Sequence, residues 1–180
     1  EDYDRTAMAG DIAALLTHLG HTSADVMGYS LGAMLTLRFA RVHGSMCKSA
    51  ILAGVGAHFL LPGNNGTAVV DALLADDPRA SRNAVGRAFR AFADRNGQNR
   101  QALAACYNVP REPLDPVRLK EATCPVLVVA GDRDEIAGHP AGLADLLPNG
   151  EAVSIPKRDH MRTVGDPTYK KVVLEFLQRV

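Results

Sequence analysis

The 180-residue chain has single-domain length, and its 47% hydrophobic and 22% charged content is that of a folded globular protein. Lys and Arg total 20, as do Asp and Glu, so the chain lacks the basic excess that nucleic-acid or anionic-membrane binding requires. Cys47, Cys106 and Cys124 are odd in number, widely spaced and free of any C-x-x-C pattern. They read as reduced, mostly buried thiols of a cytoplasmic protein.

Ala7, Met8, Ile12, Leu15, Leu16 and Leu19 recur at helical spacing over residues 6–19, and Gly20 ends that helix. Residues 24–27 form a short apolar strand that runs into Gly28-Tyr29-Ser30-Leu31-Gly32. A G-x-S-x-G pattern between strand and helix predicts a serine on a sharp turn, with its hydroxyl presented to a substrate. Both glycines read as positions where a Cβ would clash. Residues 31–42 carry helical spacing up to His43-Gly44, and residues 49–55 form an apolar strand whose Gly54 and Gly56 open into a loop.

Residues 57–115 change character. Turn-forming residues cluster from His58 through Pro62, Gly63, Asn64, Asn65 and Gly66. Helical stretches follow at 67–75, 79–95 and 100–107. In the middle one Val85, Ala88, Phe89 and Phe92 share a face opposite Arg79, Arg82, Arg87 and Arg90, which read as a solvated face. Pro110, Pro113 and Pro116 mark a connector. Alternation then resumes. Residues 125–130 are a β-branched run suited to a strand buried on both faces, followed by a turn at Gly131-Asp132-Arg133-Asp134. A helix at 140–147, a turn at Pro148-Asn149-Gly150, a strand at 152–155, a loop at 157–160 and an amphipathic helix at 167–180 complete the chain. This order implies an α/β fold with a parallel sheet, helices on both faces, and an inserted helical block at the ligand-binding end of the sheet. The divisions are 1–56, 57–115 and 116–180.

A serine hydroxyl needs a base to take its proton and a carboxylate to orient that base. Ser30, Asp134 and His160 each follow a predicted parallel strand, and the C-terminal ends of such strands open on one edge of a sheet. Asp132 and Glu135 compete with Asp134 for the acid, with Asp132 also suited to a turn. His160 is the one histidine after a late strand. His18, His21 and His43 lie at helix ends and read as surface residues, while His139 reads as structural or site-edge. Tyr29, His58 and Phe59 are the candidate substrate contacts. The six histidines include no pair at metal-ligand spacing, so no metal is expected.

The chain resembles the C-terminal two-thirds of an α/β-hydrolase-fold protein of the serine hydrolase branch. The elbow at Ser30, the G-x-x-D pattern ending at Asp134, and Arg158-Asp159-His160-Met161 before the last helix follow that superfamily's order. The resemblance spans residues 6–180, with 57–115 in the place of the variable cap or lid. It implies a Ser30–Asp134–His160 triad, with the Leu31 backbone N–H as one oxyanion donor. The implied activity is cleavage of a small-molecule carboxylic ester or thioester through an acyl-enzyme, with no cofactor and no nucleic-acid or membrane partner. C–C hydrolase or peptidase chemistry and a non-catalytic ligand-binding role are the alternatives. The resemblance also implies about four strands before Glu1, whose absence would leave a bare parallel edge and no second oxyanion donor. Losing one such donor costs on the order of 10²–10³ in turnover, so a chain without it is expected to be nearly inactive.

Overall fold

A computed structural model describes residues 3–61, 66–109 and 114–180. The turn residues Pro62 to Asn65, together with Pro110 and Pro113, lie outside the described residues. The chain divides into two compact units. One comprises residues 5–61 and 114–180, the other residues 66–109 with Tyr3 and Asp4.

The larger unit holds helix α1 (Arg5–His18), strand β1 (Ala24–Tyr29), helix α2 (Leu31–Val42) and strand β2 (Cys47–Ala53). The smaller holds α3 (Gly66–Leu74), α4 (Ala84–Arg95) and α5 (Arg100–Asn108). The larger unit resumes with α6 (Pro116–Leu119), β3 (Val126–Gly131), α7 (Ala141–Ala144), β4 (Gly150–Ile155), α8 (His160–Thr163) and α9 (Pro167–Leu177). The four strands form one parallel sheet in the order β1-β2-β3-β4.

Strand alternation splits the core between the two faces of this sheet. Ala50, Leu52, Val126 and Val128 join Leu37, Phe39 and Ala40 of α2 and Leu143 of α7. The intervening Ile51, Ala53, Leu127 and Val129 join Tyr169, Val173 and Phe176 of α9. Central strands covered on both sides have no polar face, which is why β3 reads as an uninterrupted apolar run. Among the described residues β1 pairs only with β2, and its Met27 is exposed.

Several boundaries differ from the sequence reading. The helix expected at 79–95 begins at Ala84, because the Asn83 side chain caps it by accepting from the Gly86 N–H at 2.9 Å. The helix expected at 140–147 is confined to α7, and the last helix ends at Leu177 rather than Val180. Both β2 and β4 start two residues early, so Gly150 belongs to a strand rather than to the preceding turn. Residues 57–60 form a 3₁₀ turn. Residues 116–119 form a helical turn that starts at Pro116, capped by Asp115.

The arginine face of α4 needs correction. Arg90 is only 5% exposed and lies with Gly86 and Ala93 on the buried side, whereas Ala88 and Phe92 are exposed. Its guanidinium donates to the carbonyls of Ala72 and Ala75 and pairs with Asp94. The orphan carbonyls at the end of α3 supply acceptors that make a buried arginine tolerable. The thiols differ too: only Cys47 is buried, while Cys106 and Cys124 are half-buried. His18 and His21 are exposed, and half-buried His43 lies against Phe39 with ring centroids 5.5 Å apart.

Leu127 of β3 has no exposed area and belongs to the core cluster that includes α9, so Leu127→Ala should cost about 2–5 kcal/mol in urea unfolding. Val117, 74% exposed, should give a Val117→Ala change within about 0.5 kcal/mol. Similar losses at both positions would contradict this placement of the core.

Candidate active site

Ser30 links β1 to α2 with φ 53° and ψ −111°. Backbone in so sparsely populated a region costs on the order of 1–3 kcal/mol and persists only when its surroundings over-determine it. Here the Ser30 N–H donates to the Ala53 carbonyl at 2.7 Å, tying the turn to the end of β2. A Cβ on Gly28 would stand 2.1 Å from the Gly32 carbonyl oxygen, so the first glycine of the motif is sterically required. The second is not: a Cβ on Gly32 would meet no heavy atom of the described residues within 4 Å. The sequence reading assigned a clash to both, and the structure assigns it to Gly28 alone.

Asp134 lies just beyond β3 with its carboxylate buried. Its Oδ1 accepts the backbone N–H groups of Ile136 at 3.1 Å and Ala137 at 2.8 Å. Its Oδ2 lies 2.8 Å from Nδ1 of His160, whose Nε2 is 3.1 Å from Ser30 Oγ. With the carboxylate as acceptor, Nδ1 carries the imidazole proton and Nε2 is left to accept from the serine hydroxyl. The three side chains thus form one continuous chain of contacts.

The other two acids near the turn have different partners. Asp132 accepts the Lys157 N–H at 2.7 Å, and Glu135 is exposed. The Asp132 bond, with Arg133 N–H donating to the Arg158 carbonyl at 3.0 Å, fastens the turn after β3 to the segment after β4. Gly131 permits this approach, since a Cβ there would lie 2.0 Å from the Arg158 oxygen. His160 is not in a loop as expected but opens α8. Asp159 caps that helix, accepting from Met161 and Arg162 N–H at 3.0 and 2.9 Å. An Asp directly before the histidine is the sequence signal for this start. Farther along, Arg158 Nε contacts Asp166 Oδ2 at 2.5 Å, and that guanidinium holds the Asp166 carboxyl below the usual range.

The three residues read as candidate substrate contacts each have a partner in the framework. The Tyr29 hydroxyl donates to the His160 carbonyl at 2.5 Å, and its ring lies 5.4 Å from the imidazole. Burial, then the Asp134 charge, pushes the Tyr29 phenol up, so it remains a donor. His58 Nδ1 is 3.0 Å from the Glu135 carbonyl, which can only accept, so this nitrogen carries the proton. Phe59 is half-buried against the core. Tyr29 thereby holds the backbone of His160 and His58 that of the turn after Asp134, contacts the sequence reading missed. His139 is exposed, with Nδ1 accepting the Ala141 N–H at 3.3 Å.

Leu31 is the first residue of α2, so its N–H has no acceptor one turn back and sits at the positive end of the helix. Among the described residues, no three His, Cys, Asp or Glu side chains could hold one metal ion, and no helix is long and apolar enough to cross a membrane.

Residues 1–169 match the profile of the alpha/beta hydrolase family. Solved structures share the fold at low identity. A hydrolase from Pseudomonas aeruginosa PA01 has a TM-score of 0.73 at 23% identity, over 94% of this chain and 70% of its own. An esterase from Exiguobacterium antarcticum has a TM-score of 0.78 at 16% identity, over 99% and 75%. The enol-lactonase from Burkholderia xenovorans LB400 has 0.67 at 19% identity, over 97% and 73%.

The two glycines of the elbow should respond differently to an added methyl group. Gly28→Ala, forced against the Gly32 carbonyl, should lose about 1–3 kcal/mol or more in urea unfolding. Gly32→Ala, in open space and inside a helix, should be neutral or stabilising by up to about 1 kcal/mol. The reverse order would contradict the elbow geometry.

Proposed function

Because the chain belongs to the alpha/beta hydrolase family, we propose that it is a serine hydrolase acting on an ester-like bond of a small molecule. Ser30 Oγ attacks the carbonyl carbon as His160 Nε2 takes its proton. Asp134 holds the imidazole by Nδ1 and stabilises the imidazolium that forms. The carbonyl oxygen becomes an oxyanion beside the Leu31 N–H. The imidazolium gives its proton to the leaving alkoxide or thiolate, leaving an acyl-enzyme. His160 then takes a proton from water, which attacks the acyl carbon and releases the acid and Ser30.

The supporting observation is the continuous contact from Ser30 Oγ through His160 to Asp134, at 3.1 and 2.8 Å. General-base help of this kind contributes roughly 10²–10⁴ to a rate. The esterase and enol-lactonase among proteins of the same fold favour a carboxylic ester or lactone as the substrate class.

Intact mass after treatment with a fluorophosphonate probe tests this reading. The native chain should gain one adduct that Ser30→Ala abolishes. A folded chain without an adduct, or an adduct that survives Ser30→Ala, would contradict it.

A further inference from the structure

Away from this site, two thiols converge at the opposite end of the sheet. Cys47 opens β2, and Cys124 stands two residues before β3. Their sulfurs are 3.8 Å apart. Cys47 is 5% exposed within the core, while Cys124 packs against that core and remains half-buried. Oxidants therefore have a way to Cys124 but little to Cys47. Cys106 belongs to the other unit and has no part in the pair.

We propose that Cys47 and Cys124 are a redox pair that a hydroperoxide converts to a reversible disulfide joining β2 to β3. In the reduced pair, Cys124 donates to the Cys47 sulfur, and the Cys47 thiol reaches the Ser49 carbonyl at 3.4 Å. When Cys124 ionises, the Cys47 thiol can turn to donate to it. That hydrogen bond holds the Cys124 thiol below its ordinary range, while the same bond, then burial, pushes Cys47 up. The half-buried sulfur is thus the better nucleophile and the buried one its resolving partner.

The chemistry balances. The Cys124 thiolate attacks one hydroperoxide oxygen; an S–O bond forms, the O–O bond breaks, and the departing alkoxide leaves as alcohol after taking a proton. The Cys47 sulfur then attacks the sulfenic sulfur, forming S–S as S–O breaks, and its proton leaves with the hydroxide as water. The thiols lose two electrons, which reduce the hydroperoxide. Closing 3.8 Å to a bonded distance of about 2.0 Å is within reach of side-chain rotation.

Placement gives the bond a consequence. The chain leaves the sheet after β2, builds α3, α4 and α5, and returns at β3. A disulfide at the starts of these strands adds a covalent link between hydrogen-bonded neighbours whose covalent connection otherwise runs through that long excursion. Ser30 and Asp134 lie beyond the opposite strand ends, so the bond leaves their contacts in place.

The test uses the full chain carrying Cys106→Ser, exposed to one equivalent of hydrogen peroxide, quenched with catalase, denatured and alkylated with N-ethylmaleimide. The expected result is loss of both alkylation sites, a linked peptide containing Cys47 and Cys124, and recovery of both sites with dithiothreitol. With Cys47→Ser added, Cys124 should instead accumulate as a sulfenic acid captured by dimedone. Two thiols still alkylated after oxidation, a disulfide between separate chains, or equal dimedone capture with and without Cys47 would overturn the proposal.

Discussion

The parallel register of the four strands is the constraint on which the site depends. Gly28, Leu52, Val128 and Ala152 form one row across the sheet, and Tyr29, Ala53, Val129 and Val153 form the next. Each strand therefore reaches its C-terminal end at nearly the same level. Ser30, Asp134 and His160 follow three of those ends and meet although they are far apart in sequence. The register is held by apolar residues on both faces of β2 and β3, and a slip of one residue would exchange the two faces of the core. Core packing and the meeting of Ser30, Asp134 and His160 thus depend on one register.

The strain at Ser30 shows how this arrangement is maintained. A backbone held at φ 53° would relax in an isolated turn. Here the Ala53 carbonyl holds its N–H, α2 begins directly after it, and the absent Cβ of Gly28 lets the chain fold back. Opposite it, the histidine is fixed by three contacts of different origin: Asp134 at Nδ1, Tyr29 at the carbonyl, and the capped start of α8. If Ser30 acts as the nucleophile proposed above, supports of this kind would hold the three side chains near productive geometry before a substrate arrives.

Much of this was legible in the sequence because strand, turn and helix signals are local. The β-branched run at 125–130 and the glycine-bounded elbow each mark a feature through residues a few positions apart. What escaped was set by partners distant in the chain. Nothing around Arg90 announces that the carbonyls of Ala72 and Ala75 will receive its guanidinium, so its place among surface arginines looked natural. Tyr29 adjoins Ser30, which suggested substrate contact; nothing nearby in the sequence announces that its phenol also reaches the His160 carbonyl 131 positions away. The short helix opening at His160 was legible from Asp159, whose capping role a loop assignment overlooked. The meeting of Cys47 and Cys124 depends on strand register, which no spacing of cysteines reveals.

If the three side chains act as one relay, Asp134 works only through His160. The most direct measurement is the rate of fluorophosphonate labelling at Ser30 when Asp134→Asn is introduced into the native chain and into His160→Ala. The account predicts at least a tenfold slowing in the first background and almost none in the second, because groups acting as a unit are strongly non-additive. Equal slowing in both would show that Asp134 acts independently of His160, and would contradict the relay.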